Sequence, residues 1–164
     1  MASLTKSSAR RHEPTRSSIM REVEIPPVGL AGVLYVPGGA RSLVVFAHGS
    51  GSSRFSARNR AVADALNDRR IGTLLFDLLT SQEEASRANV FDIALLAQRL
   101  VDAVRFIDRD PALSRLSLGL FGASTGAAAA LAASARLDRR IGAIVSRGGR
   151  PDLARDLLDQ IRTP

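Results

Sequence analysis

The chain has no cysteine and no tryptophan, and only one tyrosine, two methionines and two histidines in 164 residues. Without cysteine there are no disulfides, no thiolate metal sites and no cysteine nucleophile. Any chemistry that needs an imidazole must use His12 or His48. Aromatics are 4% of the residues, too few for the stacked platforms that grip single-stranded nucleic acid. No apolar run approaches the roughly 20 residues that span a bilayer. Gly119-Leu120-Phe121-Gly122 does not match G-x-G-x-x-G, and no P-loop lysine is present, so no nucleotide cofactor is expected and no metal set is apparent.

Lysine is almost missing as well. Lys6 is the only one among 23 basic residues, so the net charge of +7 comes from arginine. With abundant alanine, glycine, leucine and aspartate, this reads as the bias of a GC-rich genome rather than a surface selected for nucleic acid. Met1 to Arg21 hold five basic residues against one acidic, over half of the surplus. Residues 1–20, rich in Ser, Thr and Arg, are expected to be a disordered basic tail. The tail lacks the apolar segment of a secretory signal. It has a faint likeness to an organellar transit peptide, but a floppy extension, or a start placed ahead of Met20, is the simpler reading. The composition suits a cytoplasmic protein with neither membrane nor nucleic acid as partner.

What is present fits one domain. Glu22 to Ile25 and Leu30 to Val36 read as short strands stopped by Pro26-Pro27 and Pro37-Gly38-Gly39, an antiparallel hairpin at a sheet edge. Ser42 to Ala47 is a continuous apolar run, as in a strand covered on both faces. Ser56 to Arg70 is helical by the spacing of Val62, Ala65 and Leu66, and Ile71 to Leu75 is another strand. Leu78 to Asn89 is polar and acidic, a loop. Phe91 to Ile107 is an amphipathic helix with Leu95, Leu96, Leu100, Val104 and Ile107 in one stripe. Leu116 to Phe121, Thr125 to Arg136, Ile141 to Val145 and Leu153 to Ile161 continue as strand, helix, strand, helix. Strand and helix alternate from residue 42, which predicts an α/β fold with a mostly parallel sheet sandwiched by helices.

The chemistry concentrates where the strand Leu116–Phe121 runs through Gly122-Ala123-Ser124-Thr125-Gly126 into an alanine-rich helix. G-x-S-x-G occurs by chance in roughly one chain in twenty of this length. Between a strand and a helix it is the context of a nucleophile elbow, with Ser124 at the tip. The competing reading is a serine that merely caps the next helix. His48-Gly49-Ser50-Gly51 follows the third strand, where glycines let backbone N–H groups approach a developing oxyanion; Thr125 N–H would be a second donor. His48 itself reads as a residue that holds this loop by hydrogen bonds rather than as a base. Asp152 is open between a triad acid and a helix N-cap, the cap being favoured, and Asp77 is ambiguous in the same way. Arg54, Arg147 and Arg150 follow strands at their C-terminal ends, the ligand-binding edge of such sheets. They either draw an anionic substrate or are solvated loop residues.

Four blocks in order carry a resemblance: residues 47–54, Asp77-Leu78-Leu79-Thr80, residues 119–126 and residues 145–152. Over residues 21–164 the chain resembles the α/β-hydrolase superfamily, and within it the dienelactone-hydrolase-like branch. The resemblance implies a partial α/β-hydrolase domain in which Ser124 attacks a small ester, thioester or lactone. It implies Ser50 or Gly51 and Thr125 as oxyanion donors, and no cofactor. Relatives of this kind are sometimes joined to a phosphoribosyltransferase domain, of which nothing is seen here. In the superfamily the triad runs Ser, acid, His along the chain. Both histidines here precede Ser124, so Asp152 is at best an alternative acid and no residue matches the base. The last two strands of the fold, expected after Thr163-Pro164, would bear the usual acid and histidine. Truncation, a frameshift or a non-catalytic remnant that binds a ligand in the old pocket would each explain this. The strand Ile141–Val145 is then expected to be a bare apolar edge, open to a second copy of the chain.

Overall fold

The computed structural model describes residues 17–164. Most of the expected tail, residues 1–16, lies outside the described residues. The remainder of it is partly strand, because β1 spans Ile19–Ile25. β1 pairs antiparallel with β2 (Leu30–Val36), from Ile19 opposite Val36 to Ile25 opposite Leu30. Gly29, at φ 73°, closes the turn by donating its N–H to the Ile25 carbonyl at 3.0 Å. β3 (Ser42–Ala47), β4 (Gly72–Phe76), β5 (Ser117–Ala123) and β6 (Ile141–Arg147) complete one mixed sheet in the order β1-β2-β4-β3-β5-β6. β2 runs antiparallel to β4, and β4, β3, β5 and β6 are mutually parallel. The parallel run explains the unbroken apolar stretches, since helices cover both faces.

One face carries α1 (Ala57–Asn67), over Phe46, Leu75 and Phe121. The buried residues of α1 are Asn59 and Ala63, with Val62 and Leu66 half-buried, whereas Ala65 is exposed. Val62 and Leu66 thus keep their expected place on the core side, but Ala65 does not, and the stripe takes in Ala63 and the polar Asn59 instead. The other face carries α4 (Ile93–Arg109) and α5 (Thr125–Leu137). Leu96, Leu100, Val104 and Ile107 of α4 are buried there, and Asp92 caps the helix by accepting from Leu95 N–H at 2.9 Å. α5 is buried nearly all round: Ala127 to Ala130, Ala132 and Ala133 have almost no exposed surface. Only a side chain as short as alanine lets a helix lie that close to both sheet and neighbouring helix.

Two expectations are corrected. The acidic stretch after β4 is not all loop but holds two single-turn helices, α2 (Ser81–Glu84) and α3 (Arg87–Val90). Thr80 and Glu83 form a reciprocal capping box: Thr80 Oγ1 accepts from Glu83 N–H at 3.2 Å, and Glu83 returns the bond to Thr80 N–H at 2.9 Å. The last helix is a 3₁₀ helix, Pro151–Gln160, kinked at Ala154. At β6, Val145 is half exposed, but the edge is not wholly bare. Ile144 donates its N–H to the Pro164 carbonyl at 2.8 Å, so the segment after the 3₁₀ helix runs back along it. No helix among the described residues is long and apolar enough to cross a membrane.

Candidate active site

β5 delivers Ser124 to the end of the sheet, and the backbone there is strained. Ser124 sits at φ 51°, ψ −123°, outside the usual regions for a side-chain-bearing residue. Ser124 occupies the N-cap position of α5, but its side chain makes no capping hydrogen bond to the helix. The flanking glycines are sterically required. A Cβ on Gly122 would meet Ala127 Cα and lie 2.6 Å from the Gly126 carbonyl oxygen. A Cβ on Gly126 would meet the Ala47 carbonyl and lie 2.5 Å from that of His48. The loop after β6 clasps the elbow from the other side. Ser124 N–H donates to the Arg147 carbonyl at 3.4 Å, and Arg150 N–H donates to the Ser124 carbonyl at 3.4 Å. Gly148 (φ 53°) and Gly149 permit this wrap; a Cβ on Gly149 would fall 2.6 Å from Ala127 Cβ. The glycine pair after a strand was the sequence signal for this clasp.

The loop His48–Ser53 lies against the elbow. A Cβ on Gly49 would come within 3.0 Å of Ser124 Cβ. His48 is buried, with both ring nitrogens in use. Nε2 accepts from Leu78 N–H at 3.0 Å, so Nδ1 bears the proton and donates to the Gly49 carbonyl at 3.0 Å. The ring ties the β3 loop to the β4 loop. Ser50 N–H donates to Thr125 Oγ1 at 3.0 Å, so this expected oxyanion donor already has an acceptor. Gly51 is at φ 69°. A cavity of about 360 Å³ opens beside this loop, lined also by Leu78, Leu79, Glu84, Val90, Leu96 and Thr125. That volume suits a small ligand. A larger groove of about 620 Å³ lies along β1, β2 and α1, and no residue of the elbow lines it.

The charged candidates are mostly paired with each other. Asp77 accepts from Arg54 N–H at 2.8 Å and forms an ion pair with the Arg54 guanidinium, which also stacks 4.1 Å from the centre of the Phe55 ring. Arg150 pairs with Asp152 at 2.7 Å, both well exposed. The Arg150 hydrogen bond holds the Asp152 carboxyl below its ordinary value. Asp152 is not the N-cap favoured from sequence: Arg150 occupies that position, and Asp152 lies inside the first turn. Arg147 points its guanidinium at Asn59, donating to Oδ1 at 3.0 Å, and lies 5.5 Å from the centre of the Phe121 ring. Of the three arginines it alone has no carboxylate partner among the described residues.

Polar residues that the apolar pattern concealed support the rim. Asn59, buried on α1, receives Arg147. Arg99, buried on α4, donates to Glu83 at 2.6 Å and so ties α2 to α4. Burial pushes the Glu83 carboxyl up, but the Thr80 N–H and the Arg99 guanidinium outweigh it and hold its pKa below the ordinary value. No group of three or more metal-ligating side chains occurs among the described residues.

No family model matches the chain. The fold superimposes on a crystal structure of a dienelactone hydrolase from Anabaena variabilis with a TM-score of 0.84 and 46% identity, over 92% of this chain and 72% of that one. A cold-adapted esterase from an Arctic intertidal metagenomic library matches at a TM-score of 0.67 and 20% identity, over 96% and 75% of the two chains. A dienelactone hydrolase-like promiscuous phosphotriesterase from metagenomic libraries matches at 0.62 and 21%, over 81% and 60%. The last two show the fold alone. Two curated proteins from strains of Mycobacterium tuberculosis, each named "Putative phosphoribosyl transferase", are 55% identical over 143 residues, 87% of this chain. The chain spans about a third of their length, 32%.

Proposed function

The chain belongs to the dienelactone hydrolase family, and from that premise we propose that its elbow is an acylation site with Ser124 as nucleophile. The observation that carries this reading is the Ser124 hydroxyl itself. It is presented on a strained backbone between two glycines and spends no hydrogen bond on capping α5. Its Oγ would attack the carbonyl carbon of a small ester, thioester or lactone. The carbonyl oxygen takes the electron pair beside the N-terminus of α5, then returns it as the alkoxide or thiolate leaves. The Thr125 N–H, with that of Ser50 or Gly51, would meet the negative oxygen.

The serine proton needs an acceptor that the described residues do not place there. His48 is committed to Leu78 and Gly49, and His12 lies outside the described residues. Asp152 pairs with Arg150 and, among the described residues, has no imidazole to orient. By itself the chain is therefore proposed to be an impaired hydrolase, keeping the roughly 10³–10⁴-fold over water that binding and an oxyanion site supply without a triad. Two of the three rim arginines are neutralised by carboxylates, so a neutral ester is the suitable probe. A cytoplasmic setting belongs to the same proposal. Phosphoribosyl transfer is named for chains about three times as long as the shared segment, and nothing in this site argues for carrying it over.

The test is covalent labelling. Wild-type protein incubated with a fluorophosphonate should gain one adduct, mapped to Ser124 by peptide mass, and should release p-nitrophenol slowly from its acetate ester. Ser124→Ala should do neither. A folded wild type that takes no adduct would sink the acylation reading. It would favour instead a protein that only binds a small ligand in the 360 Å³ cavity. The occupied His48 and Ser50 groups are what keep that second reading in view.

A further inference from the structure

We propose that the Thr125 hydroxyl is a positioning group for the oxyanion site, holding the Ser50 N–H in place until a negatively charged substrate oxygen replaces it. This rests on the acylation reading above. Thr125 is 3% exposed, and its Oγ1 accepts from Ser50 N–H at 3.0 Å, joining α5 to a loop 75 residues earlier in the chain. Thr125 is also the first residue of α5, so its own N–H has no acceptor within the helix. One residue therefore offers one oxyanion donor through its backbone and restrains the other through its side chain.

The loop needs such a restraint. Ser50 stands between Gly49 and Gly51, neither of which has a side chain to anchor it, and Gly51 is at φ 69°. The neutral hydroxyl gives the Ser50 amide a fixed acceptor within the protein, where water would leave its direction unset. A hydroxyl is a weaker acceptor than an anionic oxygen, since charge-assisted bonds are roughly twice as strong as neutral ones. The Ser50 N–H thus stays aimed in the resting protein, yields little to a neutral ester carbonyl, and transfers to the oxygen once it carries charge. That preference for the transition state over the ground state is what accelerates a reaction.

Thr125→Val keeps the shape and removes the hydroxyl, whereas Thr125→Ser restores it; Thr125→Ala replaces the valine variant if that does not fold. Two quantities are measured on the full chain: the second-order rate of fluorophosphonate labelling at Ser124, and hydrogen exchange of the Ser50 amide by NMR. The valine variant should label about tenfold more slowly and exchange Ser50 faster, while the serine variant stays within about threefold of wild type in both. Labelling of the valine variant at or above the wild-type rate overturns the proposal, and so does a serine variant that falls as far as valine. If wild type itself takes no label, the acylation reading fails, and the positioning role fails with it. Fast Ser50 exchange in the valine variant would then leave the hydroxyl as a structural fastener only.

Discussion

The elbow at the end of β5 is shaped by backbone packed against backbone, whereas the arginine rim in the loops after β3, β4 and β6 is shaped by side-chain pairs. The elbow is enclosed by carbonyls and Cα atoms so close that Gly122 and Gly126 admit no side chain. The arginine rim, by contrast, is a set of pairs: Arg54 with Asp77, Arg150 with Asp152, Arg147 with Asn59. Backbone cannot move aside without dragging a strand or helix with it, whereas an exposed pair such as Arg150–Asp152 swings free at little cost. The first region fixes geometry, and the second sets the charge around it.

The largest effect should come from adding a methyl group at the elbow. Gly126→Ala presses Cβ into the Ala47 and His48 carbonyls and should destabilise by about 3 kcal/mol or more, read by urea unfolding. Gly119→Ala, on β5 ahead of the elbow, meets only an ordinary 3.5 Å contact and should stay within about 1 kcal/mol of wild type. Equal losses would break the contrast between a required and an incidental glycine. Next comes His48→Ala, which leaves the Leu78 N–H buried without its acceptor and should lower unfolding free energy by about 1–3 kcal/mol.

The Glu83–Arg99 pair should matter less, and its effect should depend on pH. Because the folded carboxyl is held below 4.5, its stabilisation is complete above that value and is lost as pH falls through the lower folded pKa. Glu83→Gln should therefore cost about 1 kcal/mol at pH 7, and the gap to wild type should narrow as denaturation is repeated toward pH 3. A gap that widens in acid would refute the assignment. Smallest of all is Arg150→Ala, where both partners are well exposed. The thermal midpoint should not move measurably, and a clear drop would mean the rim carries more of the fold than its exposure suggests.

Much of the fold was legible because its signals are local. β2 and β3 begin and end where the apolar runs and the Pro-Gly stops put them, and the glycines of G-x-S-x-G marked the elbow. α2 and α3 escaped because single turns outside the core need no apolar stripe; the Thr80 and Glu83 capping box was the only sign. In α1 the buried face includes Asn59, whose partner Arg147 lies 88 residues away, so an apolar count skipped it. The helix-cap reading of Asp152 failed because the 3₁₀ helix starts at Pro151, two residues earlier than expected.

The sequence by itself determined the succession of the six strands and the longer helices, the place of Ser124 between two glycines, and the small number of imidazoles. These follow from residue type, spacing and count alone. Only the tertiary structure decided which polar groups are free. It gave both His48 nitrogens to neighbouring backbone, the Ser50 N–H to Thr125, and Arg54 and Arg150 to carboxylates. Hydrogen bonds and ion pairs depend on atoms meeting within about 3 Å, and that proximity is set by packing between segments far apart in the chain.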